Sequence, residues 1–227
     1  MSPKIKICCI ANIDEAQLAI KSGASAIGLV GHMPSGPGII SDEKIFSIAK
    51  NIPPQIDTFL LTSETNAENI INHHKRTNTN SLQLVDSVRT ETYQQLRKQI
   101  PKTKLVQVIH VINHQSIDEA LKISEFVDAI LLDSGNPNLT IKELGGTGRT
   151  HNWDISKEIV KKSNKPVFLA GGLNPENVRK AIDYVQPYGV DICSGVRTHG
   201  KLDQKKYNNF LMKLIKFNLY GEKKKRS

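Results

Sequence analysis

The sequence predicts an α/β protein, a single closed (βα)8 TIM barrel, and three observations carry that prediction. Eight short runs rich in Val, Ile and Leu recur along the chain, and stretches of helical periodicity separate them. The runs are apolar on both faces, as strands of a parallel sheet covered by helices must be. The chain has 227 residues, close to the ~250 of a typical barrel and enough to bury a large core without disulfides or metals.

The expected strands run over 5–10, 26–31, 57–62, 81–86, 104–111, 129–134, 166–171 and 189–195. The first helix is expected over 14–21, after Asn12. The second runs from Lys44 onward, with Ser41 as its N-cap. Further helices are expected over 67–75, 90–100, 116–124, 154–162, 175–185 and 203–217. Pro175 is read as a first-turn proline, with Glu176 near the positive end of its helix. Residues 1–220 form the barrel in this reading, and 221–227 a flexible basic tail. A doubly wound sheet is the competing architecture. It would show fewer strands and a glycine-rich turn after the first, whereas Ala11–Asp14 contains no glycine.

The formal charge is +9, and the tail contributes Lys223, Lys224, Lys225 and Arg226 against Glu222. The remaining excess suits a solvated basic surface and some steering of an anionic substrate. Neither a groove-reading motif nor interleaved aromatics are present, so no nucleic-acid partner is expected. No apolar run approaches the ~20 residues that span a bilayer, and the first residues lack a signal-peptide core. A cytoplasmic protein, monomer or homodimer, is expected. Cys8, Cys9 and Cys193 are an odd and sparse set, in keeping with a reducing compartment. Neighbours on a strand point to opposite faces, so Cys8 and Cys9 are not expected to bridge. No cluster has metal-ligand spacing, and neither a metal nor a cofactor is implied.

Barrel chemistry belongs at the C-terminal ends of the strands, with phosphates between the loops after strands seven and eight. There the chain places Gly171 and Gly172, then Ser194 and Gly195. The long loop after strand six adds Gly146 and Gly148. Glycines let backbone N–H groups approach an anion closely, so these six residues are the expected phosphate site and a small phosphorylated molecule the expected partner.

Two reactive side chains stand at strand ends. On strand one, Lys6, Cys8 and Ile10 are expected on one face and Ile5, Ile7 and Cys9 on the other. Cys8 then looks into the mouth, as does Asp133 at the end of strand six. A thiol and a carboxyl across a barrel mouth can act as base and acid when burial and a bound phosphate tune them. Cys8 reads equally well as a small buried hydrophobe. Asp191 and Cys193 share a face of strand eight; Asp191 is either a ligand for a substrate hydroxyl or a satisfied core group. His32 and His110 read as structural or rim residues.

Taken in order, Lys6-Ile7-Cys8, Leu131-Leu132-Asp133-Ser134, Gly145-Gly146-Thr147-Gly148 with Trp153, Ala170 to Val178, and Val190 to Val196 resemble phosphoribosylanthranilate isomerase, a (βα)8 enzyme family of tryptophan biosynthesis. The resemblance spans nearly the whole chain. It implies an Amadori rearrangement without cofactor, with Asp133 as the general acid that opens the ribose ring and Cys8 as the base that removes the C2′ proton.

The chain departs from the family pattern at four places. Cys9 replaces a glycine, and Gly38 stands where an arginine is expected to grip the anthranilate carboxylate. Val85-Asp86 replaces His-Gly, and Arg197 replaces a glutamate. In one reading Arg197 supplies the missing charge from another strand. In a second the substrate is a different phosphorylated aminosugar or sugar phosphate. A barrel that binds a phosphometabolite without catalysis is the remaining alternative.

Overall fold

The computed structural model describes residues 2–221, with side chains described through residue 214. The basic residues expected in the tail lie, from 222 on, outside the described residues. Eight parallel strands close into a barrel in chain order. They are β1 (Lys4–Ile7), β2 (Ala26–Val30), β3 (Asp57–Thr62), β4 (Ser81–Leu84), β5 (Lys104–His110), β6 (Ala129–Asp133), β7 (Val167–Leu169) and β8 (Gly189–Ile192). Pairing of β8 with β1 seals the ring, with Lys4 beside Gly189 and Ile7 beside Ile192. Closure leaves the barrel sheet itself without a free edge.

The helices that follow the strands are α1 (Ile13–Lys21), α2 (Asp42–Lys50), α3 (Ala67–Thr77), α4 (Thr90–Gln99), α5 (Gln115–Ser124), α6 (Trp153–Lys162), α7 (Val178–Val185) and α8 (Gln204–Gly221). Side-chain caps set the starts of the first three. The Asn12 side chain accepts the Glu15 N–H, Ser41 accepts that of Lys44, and Asn66 accepts those of Glu68 and Asn69. A short hairpin, β9 (Arg197–Thr198) with β10 (Lys201–Leu202), lies between β8 and α8 and was not expected. Among the described residues no helix is long and apolar enough to cross a membrane.

Two apolar layers account for strands buried on both faces. Ile7, Ile27, Leu60, Leu82, Ile130 and Val190 pack outward under the helices. Val30, Phe59, Leu61, Val108, Leu131 and Phe168 fill the inside of the barrel. Lys6 is also inside, fully buried, and donates to Asp191 Oδ2 at 2.7 Å. Its ammonium stands 5.2 Å from the centre of the Phe59 ring.

Two local expectations fail. Helix α7 starts at Val178, not Pro175, because the Asn174 side chain accepts the N–H groups of Glu176 and Asn177 and holds 174–177 as a turn. The expected alternation along the first strand stops at Cys9, whose φ of 61° is left-handed. Cys8 stays on the inner face with Lys6, but Cys9 now joins that inner cluster and Ile10 packs outward with Ile7.

Helix α8 is anchored by Tyr207 and Phe210, both fully buried against the outer layer. Phe210→Ala is expected to lower the unfolding free energy by about 3–5 kcal/mol in urea denaturation, and an unchanged midpoint would show that α8 does not share the barrel core.

Candidate active site

The C-terminal mouth of the barrel holds a cavity that opens to solvent. Its lining is divided by chemistry. Toward β2 and β3 the wall is apolar: Val30, Met33, Leu61 and, from the loop after β6, Leu144. Toward β7 and β8 it is mostly backbone, from Gly146, Gly148, Gly171, Gly172 and Ser194. Cys8 and Asp133 line the space between.

The backbone corner is held open by side chains. Asn177 Nδ2 donates to Gly172 O at 2.9 Å, and Asn174 Nδ2 to the same carbonyl at 3.4 Å. That fixes the carbonyl away from the cavity. Gly172 has φ 61° and presses on the loop after β6; a Cβ there would stand 2.6 Å from the Arg149 carbonyl carbon. Only glycine allows that approach. Ser134 and Thr147 share a hydroxyl hydrogen bond of 2.7 Å, tying the end of β6 to the same loop. Among the described residues, no protein acceptor takes the backbone N–H of Gly146, Gly148, Gly171 or Gly172. Those donors are free for an anion.

Asp133 ends β6 beneath the loop; a Cβ on Gly145 would lie 2.9 Å from its Oδ2. Burial pushes its carboxyl above the ordinary carboxylate range, against the N–H of Ser134 donated at 2.7 Å and the neighbouring His110. Asp191 is likewise raised by burial and held back by Lys6. Its Oδ2 takes the Lys6 ammonium, while Oδ1 is buried without a protein partner. The Cys8 Sγ is beside Gly28, where a Cβ would come within 2.9 Å of it.

Three of the expected site residues, Arg197, Gly38 and Gly195, are not part of the cavity lining. Arg197 does not reach the cavity. It is buried beneath the mouth, paired with Glu15 at 3.1 Å, and donates to the carbonyls of Cys8 (2.9 Å), Cys9 (2.6 Å) and Gly200 (2.9 Å). Its charge clamps the turn after β1 and is not offered to substrate. Gly38 also stands off the cavity, because its φ of 82° turns it onto Cys9; a Cβ there would lie 2.6 Å from Cys9 Cβ. Cys9 and Gly38, two separate departures in the sequence, are therefore one steric pair. Gly195 packs behind the wall, where a Cβ would meet Leu173 O at 2.0 Å, and leaves Ser194 to line the corner.

The cavity also holds residues that strand reading passed over. Gln83 lines the floor with Oε1 unpartnered; a lone polar residue within the apolar run 82–85 was the available signal. Ser35 donates to Lys142 O at 2.5 Å, joining the loop after β2 to the loop after β6 across the mouth. Lys142 in turn donates to Asp86 at 2.5 Å. Nothing in the sequence spacing predicts either contact.

Residues 5–213 match the family model described as N-(5'phosphoribosyl)anthranilate (PRA) isomerase. The chain belongs to the phosphoribosylanthranilate isomerase family. It is 38% identical to N-(5'-phosphoribosyl)anthranilate isomerase 2 of Methanosarcina mazei, over 92% of each chain. The crystal structure of the Thermotoga maritima phosphoribosyl anthranilate isomerase superposes with a TM-score of 0.78 at 31% identity, covering 94% of this chain and 98% of that one. A second isomerase structure, in complex with reduced 1-(o-carboxyphenylamino)-1-deoxyribulose 5-phosphate, superposes at 0.75 and 29% identity over the same shares.

The clamp and the steric pair make separable predictions. Arg197→Ala leaves the buried Glu15 carboxylate without its cation, held only by the N–H groups of Ala11 and Leu202, and is expected to cost about 3–5 kcal/mol of stability in urea melts; a loss of substrate affinity with full stability would place Arg197 in the binding site. Gly38→Ala is expected to destabilise the wild type more than the Cys9→Gly background, with a coupling of about 1 kcal/mol in a double-mutant cycle. Additive effects would mean that the two positions do not press on one another.

Proposed function

We propose that the chain catalyses the Amadori rearrangement of N-(5-phosphoribosyl)anthranilate to 1-(2-carboxyphenylamino)-1-deoxyribulose 5-phosphate, the isomerase step of tryptophan biosynthesis. The observation that carries this reading is a thiol and a raised carboxyl in one cavity, between a corner of free N–H groups and an apolar wall. The phosphate takes the N–H groups of Gly146, Gly148, Gly171 and Gly172 with Ser194, and the aromatic ring lies against Val30, Met33, Leu61 and Leu144. The ribose then spans Cys8 and Asp133. Among the described residues no lysine, arginine or histidine lines the cavity, so the ring carboxylate stays toward the open mouth.

Asp133, whose carboxyl pKa is raised by burial, gives its proton to the furanose ring oxygen as the C1′–O bond breaks. The nitrogen lone pair forms the Schiff base. Cys8 removes the C2′ proton; the electrons move to give the enolamine, which becomes the ketone as C1′ takes a proton and the C2′ hydroxyl gives one up. Asp191 Oδ1 accepts a hydrogen bond from a ribose hydroxyl, with Lys6 fixing the carboxylate from behind. The protein works in this reading in the cytoplasm, without cofactor. The family match and the relatives favour this substrate over another phosphorylated aminosugar, and the presence of both Cys8 and Asp133 argues against a barrel that only binds.

The test is the loss of substrate fluorescence on mixing with fresh phosphoribosylanthranilate. Cys8→Ala and Asp133→Ala are each expected to lower kcat/KM by about 10²–10⁴-fold, and turnover that survives both would overturn the roles. Asp133→Asn carries a second expectation. A carboxyl whose pKa is raised on folding opposes folding when ionised, and that opposition disappears as pH falls below the ordinary carboxylate range. The inactive Asn variant should therefore melt higher than the wild type at neutral pH, and the difference should vanish in acid.

A further inference from the structure

Three thiols converge at the mouth, and the isomerisation uses one. Cys8, Cys9 and Cys193 are the chain's cysteines; all are free and all line the same cavity. The Cys8 N–H donates to Ile192 O at 2.8 Å, which extends the β1–β8 pairing and sets Cys8 beside Cys193. Cys9 is turned to that side by its left-handed backbone; its thiol donates to Pro37 O at 3.6 Å, and Cys193 packs against the inner cluster that contains Cys8 and Cys9. Arg197 pins the carbonyls of residues 8 and 9 from below. Cys193 is only half-buried, so a small solute in the cavity can reach it.

The two spare thiols differ in acidity. The neighbouring Cys9 thiol, with help from the Arg197 guanidinium, pulls Cys193 below the ordinary thiol range. The same contact, together with Cys8 and burial, pushes Cys9 well above it. A more acidic thiol beside a less acidic one suits an attacking and a resolving sulfur.

We propose that Cys9 and Cys193 form a redox-active dithiol, a modification site that hydroperoxides convert reversibly into a disulfide beside Cys8. The Cys193 thiolate attacks the peroxide oxygen; the O–O bond breaks, and Cys193 becomes a sulfenic acid as water or an alcohol leaves. The Cys9 sulfur then displaces the hydroxyl, which departs as water with the Cys9 proton. Two thiols and one hydroperoxide give one disulfide, water and the reduced peroxide. The S–S bond, ~2.05 Å long, is shorter than any thiol–thiol contact, so closing it draws the Cys8–Cys9 peptide toward β8 and moves Cys8 off the sugar. Formation of the bond does not depend on the reaction proposed above; only its effect on turnover does.

The experiment treats the full chain with stoichiometric hydrogen peroxide, then measures intact mass, maps cross-linked peptides after alkylation, and assays turnover before and after dithiothreitol. The expected result is a loss of about 2 Da, a Cys9–Cys193 cross-link, and an at least tenfold loss of turnover that dithiothreitol restores. Cys9→Gly should instead accumulate oxygen on Cys193, and Cys193→Ser should form no cross-link. Unchanged mass, a cross-link through Cys8, or oxygen added to single cysteines of the wild type would overturn the proposal. If the cross-link forms in a protein that never turns over phosphoribosylanthranilate, the dithiol stands and the isomerase reading fails.

Discussion

The parallel pairing of β1 with β8 turns an open sheet into a barrel, and the mouth chemistry hangs from that seam. The pairing sets Lys6 opposite Asp191 inside the barrel and Cys8 beside the end of β8. A buried ammonium and a buried carboxylate are tolerated there because each is the other's partner at 2.7 Å; removing either one would leave a lone buried charge, at about 3–5 kcal/mol. A second ion pair lies just beyond the seam. Arg197, emerging after β8, binds Glu15 of α1 and the carbonyls of Cys8 and Cys9, and so fixes the turn that leaves β1. The position of Cys8 is therefore determined from both strands of the seam and from the helix behind it.

The opposite side of the mouth is built differently. Asp133, Ser134 and Thr147 tie β6 to its long loop, and Asn174 and Asn177 hold the loop after β7 so that its amides face inward. Asp133, the proposed acid, is thus carried by a hydrogen-bonded loop system, and Cys8, the proposed base, by an ion-paired strand end. The two halves meet over a cavity whose polarity runs from free amides to Val30, Leu61 and Leu144. A phosphorylated sugar carrying an aromatic amine has the same polarity along its length, and this match links the fold to the proposed reaction.

Much of this was legible in the sequence because strand and helix periods are local. The eight strands, the caps at Asn12 and Ser41, and the glycine-rich turns each depend on a few neighbouring residues. What the sequence hid depends on backbone inversion or on distant partners. Cys9 reads as an outward strand residue until its φ of 61° turns it into the mouth. Arg197 reads as a spare cation for substrate until Glu15, 182 residues away, takes it. Gly38 reads as a lost contact, yet the space its side chain would need is filled by Cys9. Each of these residues breaks a pattern in the sequence, and each break is answered by another residue that only the fold brings near.

In the proposed reaction one cavity holds phosphate at the glycine corner and presents the sugar between Cys8 and Asp133. A crystal structure of the protein with reduced 1-(o-carboxyphenylamino)-1-deoxyribulose 5-phosphate would show this binding mode. The phosphate is expected on the amides of Gly148, Gly171 and Gly172 with Ser194, the sugar carbons within reach of Cys8 Sγ and Asp133, and the aromatic ring against Val30 and Leu61. A ligand bound with its phosphate elsewhere, or with its sugar out of reach of either Cys8 or Asp133, would contradict it.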